Sequence, residues 1–123
     1  MSKRILVADD SATVRRVLRS YLAQLDLDVC GEAADGEETI EKARKLKPDL
    51  ILLDVAMPRT NGIVVASVLK EMMPNVPIVL FTMYSDAVAR AFPDKGLAVD
   101  VVVVAKAEGM SRLADCVQNL LRS

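Results

Sequence analysis

The sequence predicts an α/β fold, a doubly wound sheet of parallel strands with helices on both faces. Three observations carry that prediction. Five short apolar segments recur along the 123 residues, and stretches of helical period separate them. Four of the five are near-continuous hydrophobic runs, as strands covered on both faces are. Five βα units in succession are the signature of parallel strands joined by helical crossovers.

The first strand is expected in RILVAD, residues 4–9. Ser11 to Leu25 then places Val14, Val17, Leu18, Tyr21, Leu22 and Leu25 on one helical face. DVCGEA (28–33) is shorter and more polar, which suits an edge strand. DGEETIEKARKL (35–46) opens with Asp35 three residues before Glu38, resembling a capping box with Asp as the cap, and Pro48 punctuates its end. DLILLD (49–54) is a buried strand that ends, unexpectedly, on a carboxylate. Asn61-Gly62 marks a turn before the helix IVVASVLKEMM (63–73), which Pro74 closes. PIVLFT (77–82) is the fourth strand, Asp86 to Phe92 a short helix stopping at Pro93, and VDVVVVA (99–105) the fifth strand. The last helix, Met110 to Leu121, offers Leu113, Val117, Leu120 and Leu121 to the core. No linker, repeat or low-complexity tract interrupts the pattern, so residues 1–123 read as a single domain.

With 52% apolar and 27% charged residues and a net charge of −1, the composition is that of an ordinary globular protein. It argues against a disordered chain and against direct nucleic-acid binding by this chain. Apolar stretches such as Ile63 to Ala66 and Val101 to Ala105 are too short to span a bilayer, so no membrane partner is expected. MSKRILVADD lacks the apolar core of a signal peptide, which leads us to expect a cytoplasmic protein. Cys30 and Cys116 form no CxxC motif and read as separate thiols rather than a disulfide. There is no histidine. Histidine triads, histidine metal sites and histidine phosphoacceptors are thereby excluded, leaving carboxylates, hydroxyls, Lys or Cys for any group transfer.

In a parallel α/β sheet, ligands bind beyond the carboxyl ends of the strands. Asp9-Asp10, Asp54, Thr82 and Lys106 stand at four such ends. Each alone has a plain structural reading: Asp caps helices, Thr is a β-branched strand residue, and Lys is a solvated strand end. Those readings do not explain four ends carrying complementary groups. Three clustered carboxylates repel one another. Lys106 would offset one charge, and a hard divalent cation such as Mg²⁺ would offset the rest. A carboxylate is also a nucleophile able to form an acyl phosphate, for which Lys106 and Thr82 would supply a cation and a hydroxyl to the phosphoryl oxygens. Neither a P-loop nor a GxGxxG pattern occurs, so a nucleotide bound here is not the expected phosphoryl donor.

In this order and spacing, ILVADD, KPDLILLDVAMPRTNG, PIVLFT and the AK that ends strand five resemble the receiver domain of two-component response regulators, from about Ile5 to Leu121. The resemblance implies the CheY-like, flavodoxin-like architecture, with strand order 2-1-3-4-5 and five helices. It further implies that Asp54 is the phosphoacceptor, that Asp10 binds Mg²⁺ directly, and that Asp9 assists, often through water. The backbone carbonyl of Ala56 would be the third protein ligand. Thr82 would hydrogen-bond the phosphoryl group and Lys106 would pair with it. The donor would be a sensor histidine kinase or a phosphotransfer protein, and water would slowly remove the group again. Such a chain is a switch rather than an enzyme acting on a separate substrate. Phosphorylation would alter the surface made by the fourth helix, fifth strand and fifth helix, changing affinity for an output protein, a DNA-binding domain or a second copy in a homodimer.

Two departures qualify the resemblance. The residue after the strand-five Lys is usually a cis-linked Pro, whereas here it is Ala107; a cis bond there would cost about 3–4 kcal/mol, so a trans loop is expected. Val103 occupies the place of the usual switch aromatic, and Tyr84 is a candidate substitute that could also shape water access. Thr82-Met83-Tyr84 resembles the branch whose longer members carry a helix-turn-helix domain; both a free-standing receiver and an excerpt of a longer regulator fit. Arg15, Arg16 and Arg19 lie early in helix one, Arg15 and Arg19 on a shared face, and read as a solvated face near where kinases dock in the family. Three other readings stay open. They are a phosphorylation-independent interaction module of the same fold, a small aspartyl-nucleophile phosphatase of the haloacid-dehalogenase type, and a flavin carrier. The phosphatase wants a second Asp where Ala56 stands, and four aromatic residues in all leave little to sandwich a flavin.

Overall fold

The computed structural model describes residues 2–57, 59–83 and 101–122. Five strands, β1 (Arg4–Ala8), β2 (Asp28–Ala33), β3 (Leu50–Leu53), β4 (Ile78–Thr82) and β5 (Val101–Ala105), form one parallel sheet in the order β2-β1-β3-β4-β5. Among the described residues there are four α-helices, α1 (Ala12–Gln24), α2 (Gly36–Leu46), α3 (Gly62–Met72) and α4 (Met110–Leu121). The helix expected at 86–92, Tyr84, and the first two residues of the fifth predicted strand lie outside the described residues.

Alternation along each strand divides the core into two layers. Leu6, Ala8, Ile51, Leu53, Ile78 and Leu80 pack with residues of α2 and α3, including Ala43, Val65 and Leu69. Ile5, Val7, Leu50, Leu52, Val79 and Phe81 pack with residues of α1 and α4, including Leu18, Leu22, Leu113 and Val117. The sheet is therefore doubly wound, and the apolar runs are continuous because both faces are covered. β2 is an edge, as its polarity implies. Between its pairing with Ile5 and with Leu6 the register skips Cys30, a local bulge that interrupts regular apolar alternation there. Cys30 and Cys116 are both free.

The caps follow the sequence with one variation. Asp35 Oδ1 accepts the N–H of Glu38 at 2.8 Å, but Glu38 Oε1 reaches back to the N–H of Ala34 at 2.7 Å rather than to the cap itself. α1 departs from expectation at Val17, which is 52% exposed. The buried stripe runs through Leu18 and Leu22, and Val17, one residue before Leu18, is turned about 100° from it.

Candidate functional site

The strand ends deliver the acidic residues to one edge of the sheet. β1 and β3 end regularly at Ala8 and Leu53, but each ladder gains one more rung. The Asp9 N–H donates to the Ala33 carbonyl at 3.0 Å, and the Asp54 N–H donates to the Ala8 carbonyl at 2.9 Å. Both acids are thus anchored by their backbones while their side chains stand clear of the ladder. Carboxylate oxygens of Asp9, Asp10 and Asp54 lie within 4.8 Å of one another. Asp9 and Asp54 are buried and Asp10 is exposed, so the cluster opens to solvent on the Asp10 side.

Lys106 enters from the end of β5. Its Nζ lies 3.0 Å from Asp9 Oδ2 and 3.5 Å from Asp54 Oδ2, and 5.9 Å from the centre of the Phe81 ring. The Lys106–Ala107 peptide is trans. In place of the cis-proline turn, residues Lys106–Glu108 form a single 3₁₀ turn, where Glu108 Oε1 accepts the Ala105 N–H at 2.9 Å and Gly109 donates to the Lys106 carbonyl at 3.2 Å. The ammonium therefore reaches the acids without the proline. Thr82, fully buried, ends β4 opposite Ala105, the residue before Lys106. Val103 pairs with Leu80 and packs against the α2–α3 layer.

The electrostatics follow from burial. Desolvation raises the Asp54 pKa, and the negative charge of Asp9 adds to the effect, while Lys106 and the Ala56 N–H oppose it. Burial works against the Lys106 ammonium, yet the hydrogen bond to Asp9 and the charges of Asp54 and Asp9 outweigh it, so its pKa is raised. The remaining contacts of Asp54 are long: Oδ1 accepts the Ala56 N–H at 3.3 Å and Oδ2 meets Lys106 at 3.5 Å.

Two features of the site escape a reading of the sequence. Gly62 begins α3 directly against the loop after β3; a Cβ there would lie 2.5 Å from Val55 Cα and 2.8 Å from the Asp54 carbonyl oxygen. Asn-Gly announces a turn, but only the packed helix reveals that the glycine makes room for Asp54. Arg15 is the second. Far from lying on a solvated face, its side chain is 17% exposed and bound to Glu32 and to the Asp9 carbonyl.

The sequence profile of the response regulator receiver domain matches residues 5–118. The chain belongs to that family. This receiver is 43% identical over 89 residues to a protein-glutamate methylesterase/protein-glutamine glutaminase of Pyrococcus abyssi, an alignment covering 72% of this chain and 24% of that protein. It is 38% identical over 80 residues to the chemotaxis protein CheY of Thermotoga maritima, covering 65% and 67% of the two chains. The fold superimposes on the response regulator TrrA of Thermotoga maritima, solved in complex with Mg²⁺-BeF, with a TM-score of 0.84 and 33% identity over 97% of this receiver and 99% of that chain. Relatives thus include proteins the size of this receiver and proteins of which it spans about a quarter. The receiver fold, its strand order and its place among two-component response regulators agree with the expectation from the motifs. No helix among the described residues is long and apolar enough to cross a membrane.

Proposed function

We propose that residues 1–123 form a single receiver domain that accepts a phosphoryl group on Asp54 from a sensor histidine kinase or phosphotransfer protein, in a Mg²⁺-dependent reaction. The observation that carries this reading is the meeting of three carboxylates and one ammonium at one sheet edge, with the central carboxylate buried. The donor set fits a hard divalent cation: every side-chain ligand is a carboxylate oxygen, and Lys106 offsets only part of the negative charge. Asp10, Asp54 and the Ala56 carbonyl would hold the ion, with Asp9 assisting, and when bound it would neutralise charge on the phosphoryl oxygens.

The rest is work for the chain's own side chains. An Asp54 oxygen lone pair forms the new O–P bond as the donor's N–P bond breaks, and the electron pair leaves on the donor nitrogen, which takes up a proton. Lys106 and the Thr82 hydroxyl meet the phosphoryl oxygens as charge shifts. Asp54 must be ionised to attack, and the sheet holds it in one place for attack in line. In the return step, water attacks phosphorus, the O–P bond breaks, and the carboxylate and inorganic phosphate separate. The added charge then biases the surface that carries β5 and α4 towards an output protein, a DNA-binding domain or a second copy. Val103 supplies no aromatic ring, so the signal travels by another route through that surface. A phosphorylation-independent module is the competing reading that Val103 favours.

Intact mass after incubation with acetyl phosphate tests this. One phosphoryl addition with Mg²⁺ and none with EDTA supports the reading. Addition unaffected by EDTA contradicts the metal requirement. Absence of addition from both acetyl phosphate and phosphorylated kinases contradicts the switch and leaves the interaction module.

A further inference from the structure

We infer that Glu32 and Arg15 are a positioning pair for the acidic pocket, with Glu32 orienting the Arg15 guanidinium and Arg15 holding the main chain of Asp9 so that Asp9 and Asp10 face a bound divalent cation. The inference rests on the reading that this pocket takes Mg²⁺.

Arg15 is the fourth residue of α1, and helical side chains lean back over the preceding turn. From that position its Nη1 reaches the Asp9 carbonyl at 2.5 Å while Nε meets Glu32 Oε1 at 2.9 Å. The planar fork of a guanidinium serves both acceptors at once, which a lysine ammonium on a flexible stem does not. Glu32 lies in β2 beside Val7 of β1 and is held from both sides. Arg19 Nε meets its Oε2 at 2.8 Å, and Lys42 from α2 donates to its main-chain carbonyl. Hydrogen bonds from Arg19 and Arg15 keep Glu32 ionised below the usual carboxylate range, despite some desolvation. Asp9 is then fixed at four points: its N–H by the Ala33 carbonyl at 3.0 Å, its carbonyl by Arg15, Oδ1 by the Ser11 N–H at 2.9 Å, and Oδ2 by Lys106 at 3.0 Å. A continuous chain of contacts runs from Arg19 through Glu32, Arg15, Asp9 and Lys106 to Asp54.

Charge alone predicts the opposite consequence for one member. Deleting a cation near a metal site should tighten binding of Mg²⁺, and deleting an anion should weaken it. Positioning makes both deletions weaken it, and makes them overlap, because each removes the same constraint on Asp9. Partners of this kind around metal sites are worth roughly 10–100-fold in affinity.

The test is calorimetric titration of Mg²⁺ into the whole chain for wild type, Arg15→Ala, Arg15→Lys, Glu32→Ala and the double alanine variant, with thermal melts in parallel. The expected result is about tenfold weaker binding for each single alanine variant. The double variant should be no weaker than the worse single one, and Arg15→Lys should recover part of the loss. Arg15→Ala binding Mg²⁺ as tightly as wild type, or more tightly, would overturn the inference. So would simple additivity of the two losses. Should Arg15→Ala fail to fold, Glu32→Gln keeps the shape and removes the charge, and an affinity equal to wild type there overturns the pair as well. If wild type itself binds no Mg²⁺, the reading of the pocket fails, an outcome distinct from a wild type that binds and variants that do not differ.

Discussion

Asp54 is 6% exposed, shares its pocket with two other acids, and has a raised pKa for which desolvation is the leading cause. The metal-free fold therefore binds the Asp54 proton more tightly than the unfolded chain does, and ionising Asp54 costs stability. That cost is present above its folded pKa and disappears as pH falls through that value towards the unfolded 3.8. Asp54→Asn should accordingly stabilise the metal-free protein at neutral pH. The gap in melting temperature between variant and wild type should close on acidification. Lys106 has the opposite sign. Its folded pKa is raised, so its contribution is complete below the unfolded 10.5 and is lost as pH rises through the folded value. Lys106→Ala should destabilise the metal-free protein by about 1–3 kcal/mol, since it leaves Asp9 and Asp54 unscreened, and millimolar Mg²⁺ should restore much of the loss in a thermal melt. The meeting of Asp9, Asp10, Asp54 and Lys106 at one sheet edge was legible in sequence because each stands where a predicted strand ends. Arg15 was not. Its partner Glu32 is 17 residues away on an edge strand, and only the pairing of β2 with β1 brings the two together.

At the scale of elements, the site depends on where α3 begins. The helix starts at Gly62, capped by Asn61 Oδ1 accepting the Ile63 N–H at 2.9 Å, and the short antiparallel pair Ala56–Met57 with Thr60–Asn61 folds the intervening chain back to it. Gly62→Ala would drive a methyl group into the Val55 backbone and the Asp54 carbonyl. We expect a loss of about 1–3 kcal/mol in denaturant unfolding, with weaker Mg²⁺ binding as the Asp54–Ala56 segment shifts. A variant with unchanged stability and affinity would mean that α3 yields freely and does not fix the loop. Strands and helices were readable in the sequence, because apolar runs and caps are local. The close approach at Gly62, the skipped residue Cys30 in β2 and the exposure of Val17 depend on how neighbouring elements pack, and local pattern does not encode them. The trans Lys106–Ala107 bond was legible from Ala107 itself, whereas the Glu108 cap that shapes the turn was not.

Across the whole molecule, two apolar layers clamp the sheet, and the sheet carries the carboxylates on its edge. Leu50, Ile51, Leu52 and Leu53 are each 0–1% exposed, and the next residue is the buried Asp54. This architecture explains why a charged group can terminate a hydrophobic strand: the rigidity that buries the strand also fixes the carboxylate beside Lys106 and its acidic neighbours. Alternating strands and helices made the class legible, and the motifs made the strand order an expectation that the sheet meets. Asp54 is the pivot of what the molecule does with this edge. The most direct measurement is the intact mass of wild type and Asp54→Asn, side by side, after incubation with acetyl phosphate and Mg²⁺. One phosphoryl addition is expected on the wild type and none on the variant. Addition that persists on Asp54→Asn would place the acceptor elsewhere and rule out Asp54.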